Sequence, residues 1–221
     1  MPRFILPPRG TFRPNNGVDP LPFYYKPVVG RIFVARFDAA LSLLPETRFH
    51  RLLELGYGSG LLLPTLDRLT DDLVGADLEV EPPGLVDTLT KLGTRPMQLV
   101  QADARKLPFP DGHFDGVVAL SILEHLRADI LAAAAAELGR VTAPNGLFLA
   151  GCPAVHKAMN AAFAVIGFQG IENHHFSSLP DVVAAMKPWF SVEARSAWPA
   201  PLAHAPLGWA PYGAVLFRRH R

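Results

Sequence analysis

Between residues 51 and 151 the apolar positions fall into short clusters at regular intervals. Arg51-Leu52-Leu53-Glu54-Leu55 is mostly apolar and runs into three alternate glycines, Gly56, Gly58 and Gly60. That pattern reads as a buried strand over 51–55, a tight turn over 56–60 and a helix over about 60–69. Short apolar runs recur at 72–77, 97–101, 114–120 and 147–151. Between them, helical spacing is found at 83–92 and in the alanine-rich stretch 128–138. Strands alternating with helices predict an α/β chain: a Rossmann-like, doubly wound, mostly parallel sheet with helices on both faces.

The flanks follow other rules. Ile32, Phe33, Phe37, Ala40, Leu41 and Leu44 lie at helical spacing, with Arg31, Arg36 and Asp38 read as the polar positions between them. This predicts an amphipathic helix over 31–44, ended by Pro45. Pro64 fits the first turn of its helix, where the missing N–H would be unpaired anyway. Beyond 152 the chain predicts an apolar helix over 154–167, a short helix over 181–186 and closing strands at 190–194 and 214–217. The expected organisation is one domain over 1–221. It comprises an N-terminal arm (1–30) anchored by Phe23-Tyr24-Tyr25, a ligand-binding core (31–152) and a sheet-closing part (153–221).

Composition narrows the partners. The formal net charge is +1, which makes no global electrostatic bid for nucleic acid. No apolar run approaches the roughly 18–20 residues of a membrane-spanning helix, so no stable membrane insertion is expected. The N-terminus carries no secretory signal pattern, and the single cysteine, Cys152, suits a reducing compartment. A cytoplasmic protein is expected.

Three predicted strand ends carry chemistry. The first is the glycine turn, where bare main chain lets a ligand lie close and where helix-start amides would face it. The second is Asp77, placed 21 residues after Gly56, where a carboxylate can accept from both hydroxyls of a ribose. The third is Asp103 with Ala104, able to meet an exocyclic amine and a ring nitrogen of adenine. A dinucleotide fingerprint G-x-G-x-x-G would put its third glycine at 61, but position 61 is leucine and the third glycine is Gly60. Glu54, two residues before the glycines, suits a cationic ligand better than a phosphate. A ligand with a ribose, an adenine and a cationic aliphatic part fits all three ends, and S-adenosyl-L-methionine is such a ligand.

The chain resembles the class I S-adenosylmethionine-dependent methyltransferases of the small-molecule, type 11-like kind. The resemblance rests on ordered segments: Glu54-Leu-Gly-Tyr-Gly-Ser-Gly60, Gly75-Ala-Asp77, Gln101-Ala-Asp103-Ala104 with Leu107-Pro-Phe-Pro-Asp-Gly112, and Phe114 to Leu126. Pro144-Asn-Gly146 stands where the family usually has Pro-Gly-Gly, a departure in a turn that asparagine tolerates. The resemblance implies that Gly56, Gly58 and Gly60 line the methionine and ribose part and that Glu54 faces the ammonium. It implies Asp77 on the ribose, Asp103 and Ala104 on the adenine, and a backbone carbonyl near Leu120 and Ser121 for the amino group. The bland alternatives are that Asp77 caps a helix and that Asp103 serves its own loop.

The acceptor side is expected in 1–30 and 153–221, which are apolar and aromatic. That favours a small-molecule or lipid-like substrate over DNA or RNA. His125, His174 and His175 are the candidate catalytic residues, with packing and surface-loop roles as alternatives; no zinc spacing is present and no metal is expected. Methyl transfer requires a base only where the acceptor must lose a proton. A cofactor-binding scaffold without turnover is the alternative function, and a nicotinamide-dependent oxidoreductase is disfavoured by Leu61 and Glu54. The sequence leaves the oligomeric state open.

Overall fold

The computed structural model describes residues 1–17, 19–154 and 174–221. Strands β1 (Phe49–Leu55), β2 (Thr70–Asp77), β3 (Gln98–Gln101), β4 (Phe114–Leu120), β5 (Thr142–Pro153), β6 (Phe190–Trp198) and β7 (Tyr212–Arg219) form one sheet. Their order is β3-β2-β1-β4-β5-β7-β6. Neighbours from β3 to β5 are parallel, while β7 runs antiparallel to both β5 and β6. The helices are α1 (Val29–Leu41), α2 (Leu63–Asp67), α3 (Leu85–Lys91), α4 (Ala128–Val141) and α5 (Leu179–Met186). This is the Rossmann-like α/β architecture that the alternation predicts.

Strand side chains alternate between two cores, because successive residues of a strand point to opposite faces. Leu52, Leu73, Val118 and Leu149 face one cluster, with α1, α2, α3 and the arm. Leu53, Val74, Val117 and Phe148 face the other, with α4 and α5. Covering on both faces explains why β1 and β4 read as near-continuous apolar runs. Among the described residues no helix is long and apolar enough to cross a membrane.

The element boundaries shift for local reasons. α1 ends at Leu41, and the Leu44 N–H turns back to the Leu41 carbonyl at 3.0 Å ahead of Pro45. α2 has only five residues, with Pro64 in its first turn. The Leu69 N–H bonds the Leu66 carbonyl at 2.8 Å, closing the helix just before β2 begins. β5 starts earlier than the apolar run 147–151. Thr142 pairs with Phe114, the ladder is then interrupted, and pairing resumes at Gly116 and Leu147. Asn145 sits inside that interruption at φ 63°, the left-handed conformation its side chain tolerates. The helix expected over 154–167 lies outside the described residues, apart from Ala154.

The arm is anchored more widely than by Phe23-Tyr24-Tyr25. Phe4, Phe12, Leu21 and Tyr24 are all buried in the first core cluster. The Phe4 N–H donates to Asp38 Oδ1 at 2.8 Å, and the Tyr25 hydroxyl donates to the Pro7 carbonyl at 3.0 Å.

Since β1 lies between β2 and β4, strand order reverses at β1 and β4. The loops leaving their carboxyl ends part in opposite directions, which opens a crevice above the sheet. The arm covers part of that crevice.

Candidate functional site

The crevice holds a cavity of about 500 Å³, within the range of small-molecule sites. Gly56, Gly58, Glu54 and Asp77 line it from β1 and β2. Leu120, Ser121, Ile122 and His125 line it from β4. Asn15, Asn16, Asp19 and Tyr24 come from the arm, Arg36 and Phe37 from α1, and His174 and Phe176 from the segment before α5.

The glycine turn is tightly packed. Gly56 has φ 79°, and a Cβ there would lie 2.7 Å from Ile122 Cγ1. Only glycine meets both conditions without strain. The amides of the three turn glycines are engaged within the fold. The N–H of Gly56 donates to the Ala76 carbonyl, that of Gly60 to the Tyr57 carbonyl, and that of Gly58 to Asp77 Oδ2. With those three donors engaged and only five residues in α2, what the turn offers a ligand is close approach to bare main chain.

Asp77 is buried at the end of β2 and faces the cavity. One oxygen accepts from Gly58 N–H at 2.8 Å and the other from Glu79 N–H at 2.9 Å. Each oxygen keeps a second lone pair for a ligand hydroxyl. Glu54 is 5% exposed, and its Oε2 has no hydrogen-bond partner among the described residues. Burial, assisted by the Asp77 charge, pushes the Glu54 carboxyl up to about 8. An orphaned buried carboxyl at a cavity wall is costly unless a cation completes it.

Arg36 is the residue the sequence reading misplaced. It lies on the buried face of α1, 7% exposed, and not among the helix's polar positions. Its guanidinium sits 4.2 Å from the Phe33 ring centroid and also lies over Phe37, Tyr24 and Tyr212. Nη2 donates to the Tyr24 hydroxyl at 3.0 Å, while Nε has no partner among the described residues. The signal was present: positions 33, 36, 37 and 40 share one helical face, so a charge at 36 interrupts an apolar stripe. Asp19 was also missed. Its carboxylate accepts from the N–H groups of Asn15 and Leu21 at 2.8 Å and from the Ser59 side chain, tying the arm to the glycine turn.

At the end of β4, Ser121 has φ 59°, unusual for a non-glycine residue, and its N–H donates to the Gly151 carbonyl at 2.7 Å. That bond holds the cavity rim in place. The following turn brings the three histidines together. The ring of His125 lies 5.0 Å from that of His175, and His125 Nδ1 is 2.8 Å from the His174 carbonyl. The Glu124 carbonyl accepts from the N–H groups of Phe176 and Ser177. His175 is buried and held down at about 4, first by burial and then by the neighbouring histidines and Arg36. Donor atoms of Glu124, His125 and His175 lie within 4.8 Å of one another. Glu124 is bonded to the Cys152 thiol, and His125 Nδ1 to a carbonyl. Glu124 Oε2 finds no hydrogen-bond partner among the described residues, so the protein does not fully satisfy this cluster.

Asp103 and Ala104 do not line the cavity. The Asp103 carboxylate turns to Arg105, accepting from its N–H at 2.8 Å and pairing with its guanidinium at 2.6 Å. Those contacts hold it below the usual carboxylate range. A second hollow of about 750 Å³ lies between α4 and Trp189. Two of its arginines serve structure: Arg140 pairs with Glu137 and Asp111, and Arg219 donates to the Gly139 and Trp189 carbonyls.

Comparison with known proteins agrees with this geometry. Residues 53–150 match the family described as a methyltransferase domain. The chain is 30% identical over 175 residues to the ubiquinone biosynthesis O-methyltransferase of Cereibacter sphaeroides, covering 74% of this chain and 64% of that protein. The protein of the same name from Azorhizobium caulinodans is 28% identical over 146 residues, covering 64% of this chain and 54% of that one. The chain thus spans less than two thirds of these relatives' length. Among solved structures, the N-methyltransferase NodS of Bradyrhizobium japonicum, in complex with S-adenosyl-L-homocysteine, superposes with TM-score 0.64 at 15% identity. It covers 93% of this chain and 94% of that one. The PH0226 protein of Pyrococcus horikoshii gives TM-score 0.63 at 17% identity, covering 89% and 93%. At such identities the likeness is one of fold. The match over 53–150 and the sheet order found here make the chain similar to methyltransferases in that segment and in fold.

Proposed function

We propose that the protein binds S-adenosyl-L-methionine in the crevice and transfers its methyl group to a small or amphipathic acceptor. One observation carries this reading. A carboxyl, Glu54, and a guanidinium, Arg36, both buried and each with one polar atom unpartnered among the described residues, line the same cavity. That pair complements the ammonium and carboxylate of an amino-acid end. Asp77 adds acceptors for a ribose, and the turn at Gly56 and Gly58 gives bare main chain between them, while Gly60, read from the sequence as lining the ligand, lies against Leu85 and Leu63. Leu120 and Ser121 form the β4 side of the site. For the adenine we keep Asp103 and Ala104, where the Asp103 carboxylate must be shared with Arg105.

The bound cofactor supplies an electrophilic methyl group. The chain's own residues hold it and exclude water, with the arm as cover and Asp19 as its tie to the glycine turn. The names of the curated relatives favour an oxygen acceptor and an amphipathic small molecule. The charge balance of the chain gives no support to a nucleic-acid acceptor.

The test is calorimetry with S-adenosylmethionine and S-adenosylhomocysteine, followed by methyl-transfer assays on small phenols and amines. Saturable binding with turnover of a small acceptor is expected. No binding of either compound by the folded protein would refute the proposal.

A further inference from the structure

We infer that His125 is the general base of the reaction, taking the proton from an acceptor hydroxyl through Nε2, with the His174 carbonyl fixing its tautomer. This rests on the methyl-transfer reading above and names the acceptor as a small phenol or similarly acidic alcohol.

Three histidines meet at this end of the cavity, and their surroundings assign them different parts. His175 is buried, does not line the cavity, and stays neutral through the physiological range. His174 lines the cavity, and its backbone carbonyl lies 2.8 Å from His125 Nδ1. A carbonyl only accepts, so Nδ1 must carry the hydrogen, and the neutral ring then has its lone pair on Nε2. His125 is exposed and lines the cavity, which puts the ring within reach of an acceptor held there. The carbonyl does for His125 what a carboxylate does in other base–orienter pairs: it fixes ring and tautomer.

The support around the ring is built for position. The Glu124 carbonyl takes two N–H bonds from Phe176 and Ser177, and the Ser177 hydroxyl donates to the Leu126 carbonyl at 2.6 Å. These bonds clamp the segment after His174 to the turn that carries His125. The charged and titratable groups facing it are Glu124 on its own turn and His174 and His175 opposite, with Arg36 of α1 facing Glu124 and His175. In the step, the acceptor's O–H bond breaks and the proton goes to His125 Nε2. The acceptor oxygen forms the new bond to the methyl carbon, and the sulfur of the donor keeps the electron pair of the broken C–S bond. The imidazolium then returns its proton to solvent.

Two measurements on the full chain test this. The first needs no turnover: long-range ¹H–¹⁵N spectra, with His125 assigned by its loss in the variant, should show the neutral ring as the Nδ1–H tautomer. The Nε2–H tautomer would overturn the inference. The second uses His125→Asn, whose amide can keep the bond to the His174 carbonyl while lacking the second ring nitrogen, and His125→Ala as a control. Folding is checked by thermal melts, and cofactor affinity by calorimetry should change less than about twofold. Against a series of phenols of increasing acidity, kcat should fall roughly 100-fold or more for weakly acidic members. It should fall progressively less for those already ionised at the assay pH. A uniform loss across the series, no loss, or lost cofactor affinity would each overturn the base role. Cofactor binding without turnover of any phenol by the wild type would overturn this inference alone, whereas no cofactor binding would remove the methyl-transfer reading beneath it.

Discussion

Asp77 Oδ2 accepts a hydrogen bond from the N–H of Gly58 at 2.8 Å, so the acid at the end of β2 shapes the glycine turn at the end of β1. The turn and the proposed ribose acceptor are therefore one device. Replacing Asp77 removes bonds to two buried or half-buried N–H groups as well as a ligand contact. Asp77→Ala should cost about 1–3 kcal/mol in chemical denaturation and weaken cofactor binding at least tenfold. Asp77→Asn, which keeps one acceptor, should recover part of the stability but little of the affinity. Calorimetry and denaturant melts on both variants separate the two effects.

Glu54 makes a pH-dependent prediction. Its folded value of about 8 lies above the ordinary 4.5, so the protonated form is the one the ligand-free fold prefers. Ligand-free stability is therefore fully present below about pH 4.5 for this group and declines as the pH rises towards 8. Glu54→Gln should abolish that decline and make the ligand-free protein the more stable of the two at pH 8. A cationic ligand pulls the other way: below pH 8, binding must expel a proton. The affinity of S-adenosylhomocysteine should rise with pH by up to about tenfold per unit. Its calorimetric enthalpy should depend on the buffer's ionisation heat. A buffer-independent enthalpy at pH 6 would remove Glu54 from the ammonium site.

Arg36 should be read by discrimination and not by loss alone. Arg36→Met keeps a long apolar side chain among Phe33, Phe37 and Tyr212 but removes the charge. Wild type should bind S-adenosylmethionine more tightly than its decarboxylated analogue, by on the order of tenfold to a hundredfold for a charge-assisted bond. Arg36→Met should bind the two alike. Equal discrimination by both proteins, measured by competition, would place the carboxylate elsewhere.

Gly56 and Gly58 are both left-handed, yet a Cβ meets Ile122 at the first and nothing within 4 Å at the second. Gly56→Ala should lower stability by about 2–4 kcal/mol, combining backbone strain with overpacking. Gly58→Ala should cost only about 1 kcal/mol, the backbone part alone, while placing a methyl group at the wall of the ligand site. Thermal and denaturant melts should therefore rank Gly56→Ala well below Gly58→Ala.

Much of the fold was legible because it depends on periodicity. Leu52 and Leu53, or Val117 and Val118, face opposite cores, and covering on both sides is what makes such runs continuously apolar. The glycine turn, Glu54 and Asp77 were legible too, since strand-end chemistry follows from order along the chain. Arg36 was not, although its helical face gave a hint, because only packing shows that a charge has been enclosed by four aromatic rings from the arm, α1 and β7. The ion pair of Asp103 with its neighbour Arg105 was not legible either, since which of two nearby charges turns to the other depends on the local fold.

The sequence by itself determined the sheet-and-helix alternation, the turn that needs glycine and the acids at two strand ends, all of them matters of spacing within a few residues. The tertiary structure alone decided which groups share a cavity. It brought Arg36 to within reach of the glycine turn's ligand space and set Asp19 of the arm against Ser59. It also put the carbonyl of His174 on the ring of His125, 49 residues away in the chain. Such contacts depend on how distant segments pack, and a sequence pattern fixes the face a residue occupies without fixing what that face will meet.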